Sequence, residues 1–282
     1  MGINNGFYIQ PSVVHRQGYY GKTHGINHHS DEIVLSVDLD YKKVLFRTLI
    51  KDIHFQVRRG EMVGIYATAG TGKSVLRNCI SGKSENMKGT IMFKGLDLYK
   101  NLNSLRHLIG EVIADNILRD NWTVKDEFMN AANLYAICVD RKERIELINK
   151  TIKLLKLESV ANRQIFKLSS GEKKRANIGT ELIAYRELLI FDEPEAGLDE
   201  KTKQVVFDAF REVVKEGKSL IIISHDLARI GDYDHILVLQ KKDGVGTQKF
   251  FGTPSELSYR YGVSLEGCSK ELQDVIYGER ED

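Results

Sequence analysis

The stretch ATAGTGKS, Ala67 to Ser74, constrains this chain more tightly than any other part of it. Before it comes EMVGIY (61–66), an apolar run of the kind that forms a buried strand. After it, Val75, Leu76, Cys79 and Ile80 recur at helical spacing. A strand passes straight into a helix only through a tight turn, and Gly70 and Gly72 give the backbone the freedom such a turn requires. The turn aims its N–H groups inward, and the start of the helix adds partial positive charge. The result is a receptacle for a triphosphate, in which Lys73 neutralises the outer phosphate oxygens and Ser74 offers a hydroxyl to Mg2+. Ala67 stands where this pattern usually begins with glycine, and alanine suffices there while its φ stays negative. Ala67, Thr68, Ala69, Gly70, Thr71, Gly72, Lys73, Ser74 and Val75 form the expected nucleotide-binding run.

LLIFDEP, Leu188 to Pro194, carries the complementary chemistry. An apolar strand ending in Asp-Glu is weak evidence alone, because strand ends are often acidic for solubility. Downstream of a phosphate loop it gains force. Asp192, at the tip of a buried parallel strand, holds Mg2+ directly or through water, and Glu193 polarises the attacking water as general base. SLIII (219–223) and ILVL (236–239) are further short apolar runs, and a helix around Val206, Phe210 and Val213 separates LLIF from SLIII. Strands alternating with helices imply a parallel sheet buried on both faces. Upstream, IVLSVDL and IHFQV between charged turns read as an antiparallel β flank. Residues 123–158 read as mostly helical, with Ile145, Ile148, Ile152 and Leu155 on one apolar face, and form an inserted helical subdomain.

Composition narrows the partners. With 282 residues and 42% hydrophobic content the chain builds a proper core, and a net charge of +2 from 41 basic and 39 acidic residues calls for no nucleic acid. Cys79, Cys138 and Cys268 lack C-x-x-C spacing, which argues against a disulfide framework or zinc knuckle and fits a reducing cytosol. No apolar run is long enough to span a bilayer, and the first residues lack the core of a signal peptide. MGINNG opens like a myristoylation signal but has Gly where Ser or Thr is usual. Residues 1–31 read as a poorly ordered extension, whose His15, His24, His28 and His29 are either a metal cluster or an unspecific polar tail.

LSSGEKKR, Leu168 to Arg175, has two readings. Ser-Ser-Gly at a helix start is a good cap, which suffices as an explanation in isolation. Between a phosphate loop and a magnesium-binding strand, it resembles the L-S-G-G-Q signature of the ATP-binding cassette family. The resemblance covers about residues 33–257. It implies an α/β protein of the P-loop NTPase class, ABC type, with a mainly parallel sheet core, an antiparallel β flank and an inserted helical subdomain at about 115–170. The ATPase domain then spans 32–257, and 258–282 form a C-terminal helical tail.

In that family the signature of one subunit closes over the γ-phosphate held by the phosphate loop of another. The resemblance thus makes Ser169 and Gly171 contacts to a nucleotide bound elsewhere, with Ser170 in place of the first Gly and Glu172 in place of Gln. AGLDE (196–200) is similar to the family's D-loop, with Asp199 at the dimer contact, and IIISHDL (221–227) to its switch strand, with His225 reaching the γ-phosphate. Tyr41 sits where the family has an aromatic that stacks on adenine, and core packing is the competing reading. One departure concerns the Gln that touches metal and attacking water: ungapped alignment of IGEVIADNILRDNWTV (109–124) puts Ala114 there, and either Asp115 or Asn116 substitutes through a shifted loop or metal sensing is altered.

The implied activity is ATP hydrolysis with Mg2+, by a cytoplasmic subunit that dimerises with a second ABC ATPase domain, the same or different, and drives a transmembrane permease. GEKKRANIGTELI (171–183) looks similar to G-type exporters, while GEKKR is also similar to the soluble ATPase of the iron-sulphur assembly machinery. A soluble assembly or regulatory ATPase is therefore the alternative, and a nucleotide-binding scaffold impaired in hydrolysis the third reading.

Overall fold

Met62 and Tyr66 face one side of strand β3 (Met62–Ala67), Val63, Ile65 and Ala67 face the other, and none of the five is more than 2% exposed. A strand apolar on both faces has to lie inside a sheet covered on both sides. The computed structural model describes residues 31–112, 118–135 and 140–278 and places β3 in this position. The other strands are β1 (Ile33–Val44), β2 (Arg47–Arg58), β4 (Met87–Phe93), β5 (Leu96–Asp97), β6 (Ile109–Val112), β7 (Leu188–Asp192), β8 (Ser219–Ile223), β9 (His235–Lys242) and β10 (Val245–Gly252). Among the described residues they form one sheet in the order β5-β4-β1-β2-β10-β9-β3-β8-β7-β6. From β9 through β6 all neighbours are parallel, whereas β1, β2, β4 and β5 pair antiparallel, as the flank was expected to do.

The helices are α1 (Lys73–Ile80), α2 (Leu102–Leu105), α3 (Val124–Tyr135), α4 (Arg141–Leu154), α5 (Ser170–Ile183), α6 (Glu200–Lys215), α7 (Pro254–Tyr261) and α8 (Lys270–Tyr277). Two cores share the parallel strands by alternation. Leu189, Phe191, Leu220, Ile222, Ile236 and Val238 pack with α3 to α8, and Leu188, Ile190, Ile221, Ile223, Leu237 and Leu239 pack with α1 and the antiparallel strands. The apolar face read in α4 needs one correction: Ile148 and Ile152 are buried, but Ile145 is 39% exposed. Only the C-terminal half of α4 buries side chains, so the helical period continues past the end of the contact.

Parallel pairing brings the carboxyl ends of neighbouring strands level. Ile223 pairs with Ile65 on one side and Asp192 on the other, the Glu193 N–H donates to the Ile223 carbonyl at 2.9 Å, and the Ser224 N–H to the Ile65 carbonyl at 3.1 Å. The residues that follow β3, β7 and β8 therefore meet at one edge of the sheet, where ligands of open α/β sheets bind.

Candidate active site

The loop after β3 is shaped by contacts beneath it. Gly72 has φ 105°, and a Cβ there would collide with the Ile50 side chain of β2, so both conformation and space demand glycine. Thr71 is fully buried and shares a 2.7 Å hydrogen bond between its hydroxyl and that of Thr68. Ala67 ends β3 outside the left-handed region, so alanine is sterically acceptable. Helices α4, α5, α6, α7 and α8 each receive a side-chain cap from Asp140, Ser169, Asp199, Thr253 and Ser269. Helix α1 has neither a side-chain cap nor an acidic residue in its first turn. Its first N–H groups and its dipole stay available to an anion from outside the chain.

Three side chains converge over that helix start. Lys73 Nζ donates to the Ala67 carbonyl at 2.9 Å and lies 2.7 Å from His225 Nε2, which lies 3.1 Å from Glu193 Oε1. Burial pushes the Lys73 ammonium below its ordinary value, and the charges of Glu193 and Asp192 oppose that shift. Glu193 is held at φ 50°, a left-handed conformation that costs a non-glycine residue about 1–2 kcal/mol. Its N–H is bonded to Ile223 and its carbonyl accepts from Lys174 Nζ at 3.0 Å, which offsets that cost. Such strain at a strand end aims a side chain, and this one aims its carboxylate at His225. Ser74, one residue after Lys73, is exposed on the first turn of α1.

Asp192 is ion-paired with Arg77 of α1. Among the described residues no group of three His, Cys, Asp or Glu side chains could hold a metal ion on its own. Arg77 and Lys174 were not singled out in the sequence, because each acts through a partner far along the chain.

The signature residues form a second group. Ser169 accepts from the Glu172 N–H at 3.2 Å and Glu172 from the Ser169 N–H at 2.8 Å, a reciprocal capping box. Asp199 caps α6 through the Thr202 N–H at 2.9 Å, and that bond lowers its carboxyl below the ordinary range. Among the described residues a Cβ on Gly171 would meet only Leu198 and Thr202, at 3.6 and 3.8 Å, so none of them requires glycine there. Ser170 is exposed beside it. Among the described residues no hydrogen bond or ion pair joins 169–172 to the loop 67–75. Tyr41 is partly buried on β1, with Lys43 Nζ 4.4 Å above its ring. Ala114, Asp115 and Asn116, the histidines at 15, 24, 28 and 29, and Cys138 lie outside the described residues.

A glycine turn from strand to uncapped helix, with two carboxylates at the end of a parallel strand two places across the sheet, defines the P-loop class of nucleotide hydrolases. A sequence model of the family described as ABC transporter matches residues 50–196, and the chain belongs to that family. A putative ABC transporter ATP-binding protein of Pyrococcus furiosus is 34% identical over 68% of this chain and 71% of its own length. An ABC transporter ATP-binding/permease protein of Mycobacterium tuberculosis is 29% identical over 77% of this chain, which spans only 25% of that relative. Among solved structures, cbiO1 of Clostridium perfringens, part of the ABC transporter complex cbiONQ, has a TM-score of 0.71 at 26% identity, covering 81% of this chain and 92% of its own. The chain is an ATP-binding ATPase of the ABC type.

Proposed function

We propose that two cassettes close head to tail around ATP and that the cycle of closing and opening drives a separate transmembrane permease from its cytoplasmic side. The observation that carries the reading is that, among the described residues, no hydrogen bond or ion pair joins the turn 169–172 to the loop 67–75. An uncapped helix start holds Lys73, while Ser169, Ser170, Gly171 and Glu172 form a helix start capped by its own Ser169 and Glu172, with no contact closer than 3.6 Å where a side chain on Gly171 would stand. Two copies related head to tail would bring each phosphate loop against the other's signature turn.

In this reading the phosphate loop and Lys73 hold the β- and γ-phosphates, and Tyr41 stacks on the base. Ser74 and Asp192 would hold Mg2+, which supplies positive charge against the phosphate oxygens when bound. Glu193 draws a proton from water aligned with the γ-phosphorus, and His225 donates to a γ-oxygen as the bond to the β-phosphate breaks. The Ser169–Glu172 turn of the second cassette closes the site, and Asp199 lies at the contact between the two. Catalysis is mostly positioning and electrostatic stabilisation, as phosphoryl transfer requires. For the permease, support comes from the relative that carries ATP-binding and permease parts in one polypeptide, and from the exposed Leu134 and Tyr135 at the end of α3. No helix among the described residues is long and apolar enough to cross a membrane.

Glu193→Gln tests the reading. It retains ATP, loses hydrolysis by about a hundredfold or more, and elutes as a dimer with ATP and Mg2+. Wild-type turnover in that variant would remove Glu193 from its role. Stimulation of turnover by a reconstituted permease tests the second half.

A further inference from the structure

His225 follows β8 on a segment with no regular secondary structure, yet its backbone is gripped from both sides. Its N–H donates to Glu195 Oε1 at 3.3 Å, and its carbonyl accepts from the Tyr277 hydroxyl at 3.2 Å. The neighbouring peptide groups are fixed as well. The Ser224 hydroxyl donates to Glu195, the Asp226 N–H donates to Ser224 Oγ at 3.0 Å, and the Asp226 carbonyl accepts from the Tyr66 hydroxyl at 3.1 Å. Glu195 is only 5% exposed, so its contacts are made away from competing water.

Tyr277 reaches this segment from α8, near the far end of the chain. Leu272, Val275 and Ile276 anchor α8 in the core at 3% exposure or less, and Lys249 Nζ donates to the Val275 carbonyl at 2.9 Å. Desolvation raises the Tyr277 phenol well above its ordinary value, so it remains a hydroxyl donor throughout the physiological range. The Tyr277 ring lies 6.2 Å from the imidazole, centroid to centroid, close enough to limit where the imidazole swings.

We propose that Tyr277 and Glu195 are positioning residues for the switch histidine, clamping the two ends of its residue so that Nε2 is already aimed between Lys73 and Glu193 before nucleotide arrives. The C-terminal helix thereby sets the hydrolysis rate without touching nucleotide. The inference rests on the reading of His225 as the γ-phosphate contact. A clamp of this kind lowers the cost of ordering the site in the transition state, so its loss acts on kcat and leaves ATP binding alone.

The test is a double-mutant cycle in the full chain, with Tyr277→Phe, His225→Ala and the pair, read as kcat, KM for ATP and thermal midpoint. Losing one hydrogen bond predicts a fall in kcat of about threefold to tenfold for Tyr277→Phe, with KM unchanged and the midpoint lowered by no more than a few degrees. The same substitution made on His225→Ala should cost nothing further. Glu195→Gln, which keeps an acceptor oxygen, should retain most of the turnover that Glu195→Ala loses. An unchanged kcat in Tyr277→Phe, or an equal loss in the His225→Ala background, would overturn the clamp. A His225→Ala protein with wild-type turnover would instead overturn the reading on which it rests, and the clamp with it.

Discussion

Lys174 donates its ammonium to the carbonyl oxygen of Glu193 across 3.0 Å, tying the helix that Ser169 caps to the residue proposed to activate water. Its side chain is buried, and desolvation holds its ammonium below the ordinary value, while Glu195, Glu193 and Asp192 oppose that shift. In the proposed dimer one helix would present the signature turn to a second copy at its start, while its Lys174 holds the Glu193 loop of its own copy.

Lys174→Met should lower kcat by about threefold to tenfold, the value of one hydrogen bond, with ATP affinity unchanged. A rate equal to wild type would show that the Ile223 bond alone holds Glu193 in its left-handed conformation. Single-turnover kinetics separates the chemical step from product release.

Arg77 makes a second prediction. Its guanidinium pairs with Asp192 and, in the proposed mechanism, would have to yield for Mg2+ to take that carboxylate. Arg77→Leu should shift the Mg2+ dependence of nucleotide binding to lower concentration by about threefold to tenfold, because a competing cation is gone. The same variant, without metal, should lose about 1–3 kcal/mol of stability from the uncompensated carboxylate. Nucleotide-binding titrations across Mg2+ concentrations, with thermal melts, check both; an unchanged Mg2+ midpoint contradicts the competition.

The parts of this site that sequence alone discloses are the ones that act locally. The run Ala67–Val75 carries its own turn, helix start and charge, and β7 ends in its own carboxylates, so both are readable from consecutive residues. Arg77, Lys174, Glu195 and Tyr277 are different: their partners lie 115, 19, 30 and 52 positions away, and no local pattern encodes those distances. Ile145 was read into the core because helical spacing reports a face but not where a neighbouring helix stops. Strand β4 leaves little signal in the sequence, because Lys88, Gly89 and Thr90 are exposed and only Ile91 and Phe93 are buried in the core. The order of strands in the sheet, with β10 beside β2, follows from tertiary packing and leaves no mark in the chain order.

Stability should depend on pH through His235. Its Nδ1 lies 2.7 Å from the Glu61 carboxylate beneath a stacked Phe251 ring, and that carboxylate raises the imidazole above its ordinary 6.5 despite burial. Burial of Glu61 works to raise its carboxyl, but His235 and the Arg58 N–H outweigh it and bring it below 4.5. The histidine's contribution is complete below pH 6.5 and is lost as pH rises through its higher folded value. The carboxylate's contribution is complete above pH 4.5 and is lost as pH falls through its lower folded value. Melting curves from pH 6 to 8 should show a decline that His235→Gln flattens. A slope unchanged by that substitution would place the titration elsewhere.

The central claim is that ATP against Lys73 is sealed by the Ser169 turn of another copy, and trans-complementation tests it most directly. Lys73→Ala removes the charge on the phosphate. Gly171→Asp sets a carboxylate against it at a helix start, where an acidic residue does not harm the helix itself. Each variant alone should be inactive. Mixed in equal amounts they should regain about a quarter of wild-type turnover, since half the pairs are then mixed and each mixed pair has one intact site of two. A Gly171→Asp protein that hydrolyses ATP at the wild-type rate by itself, at every protein concentration, would contradict the account.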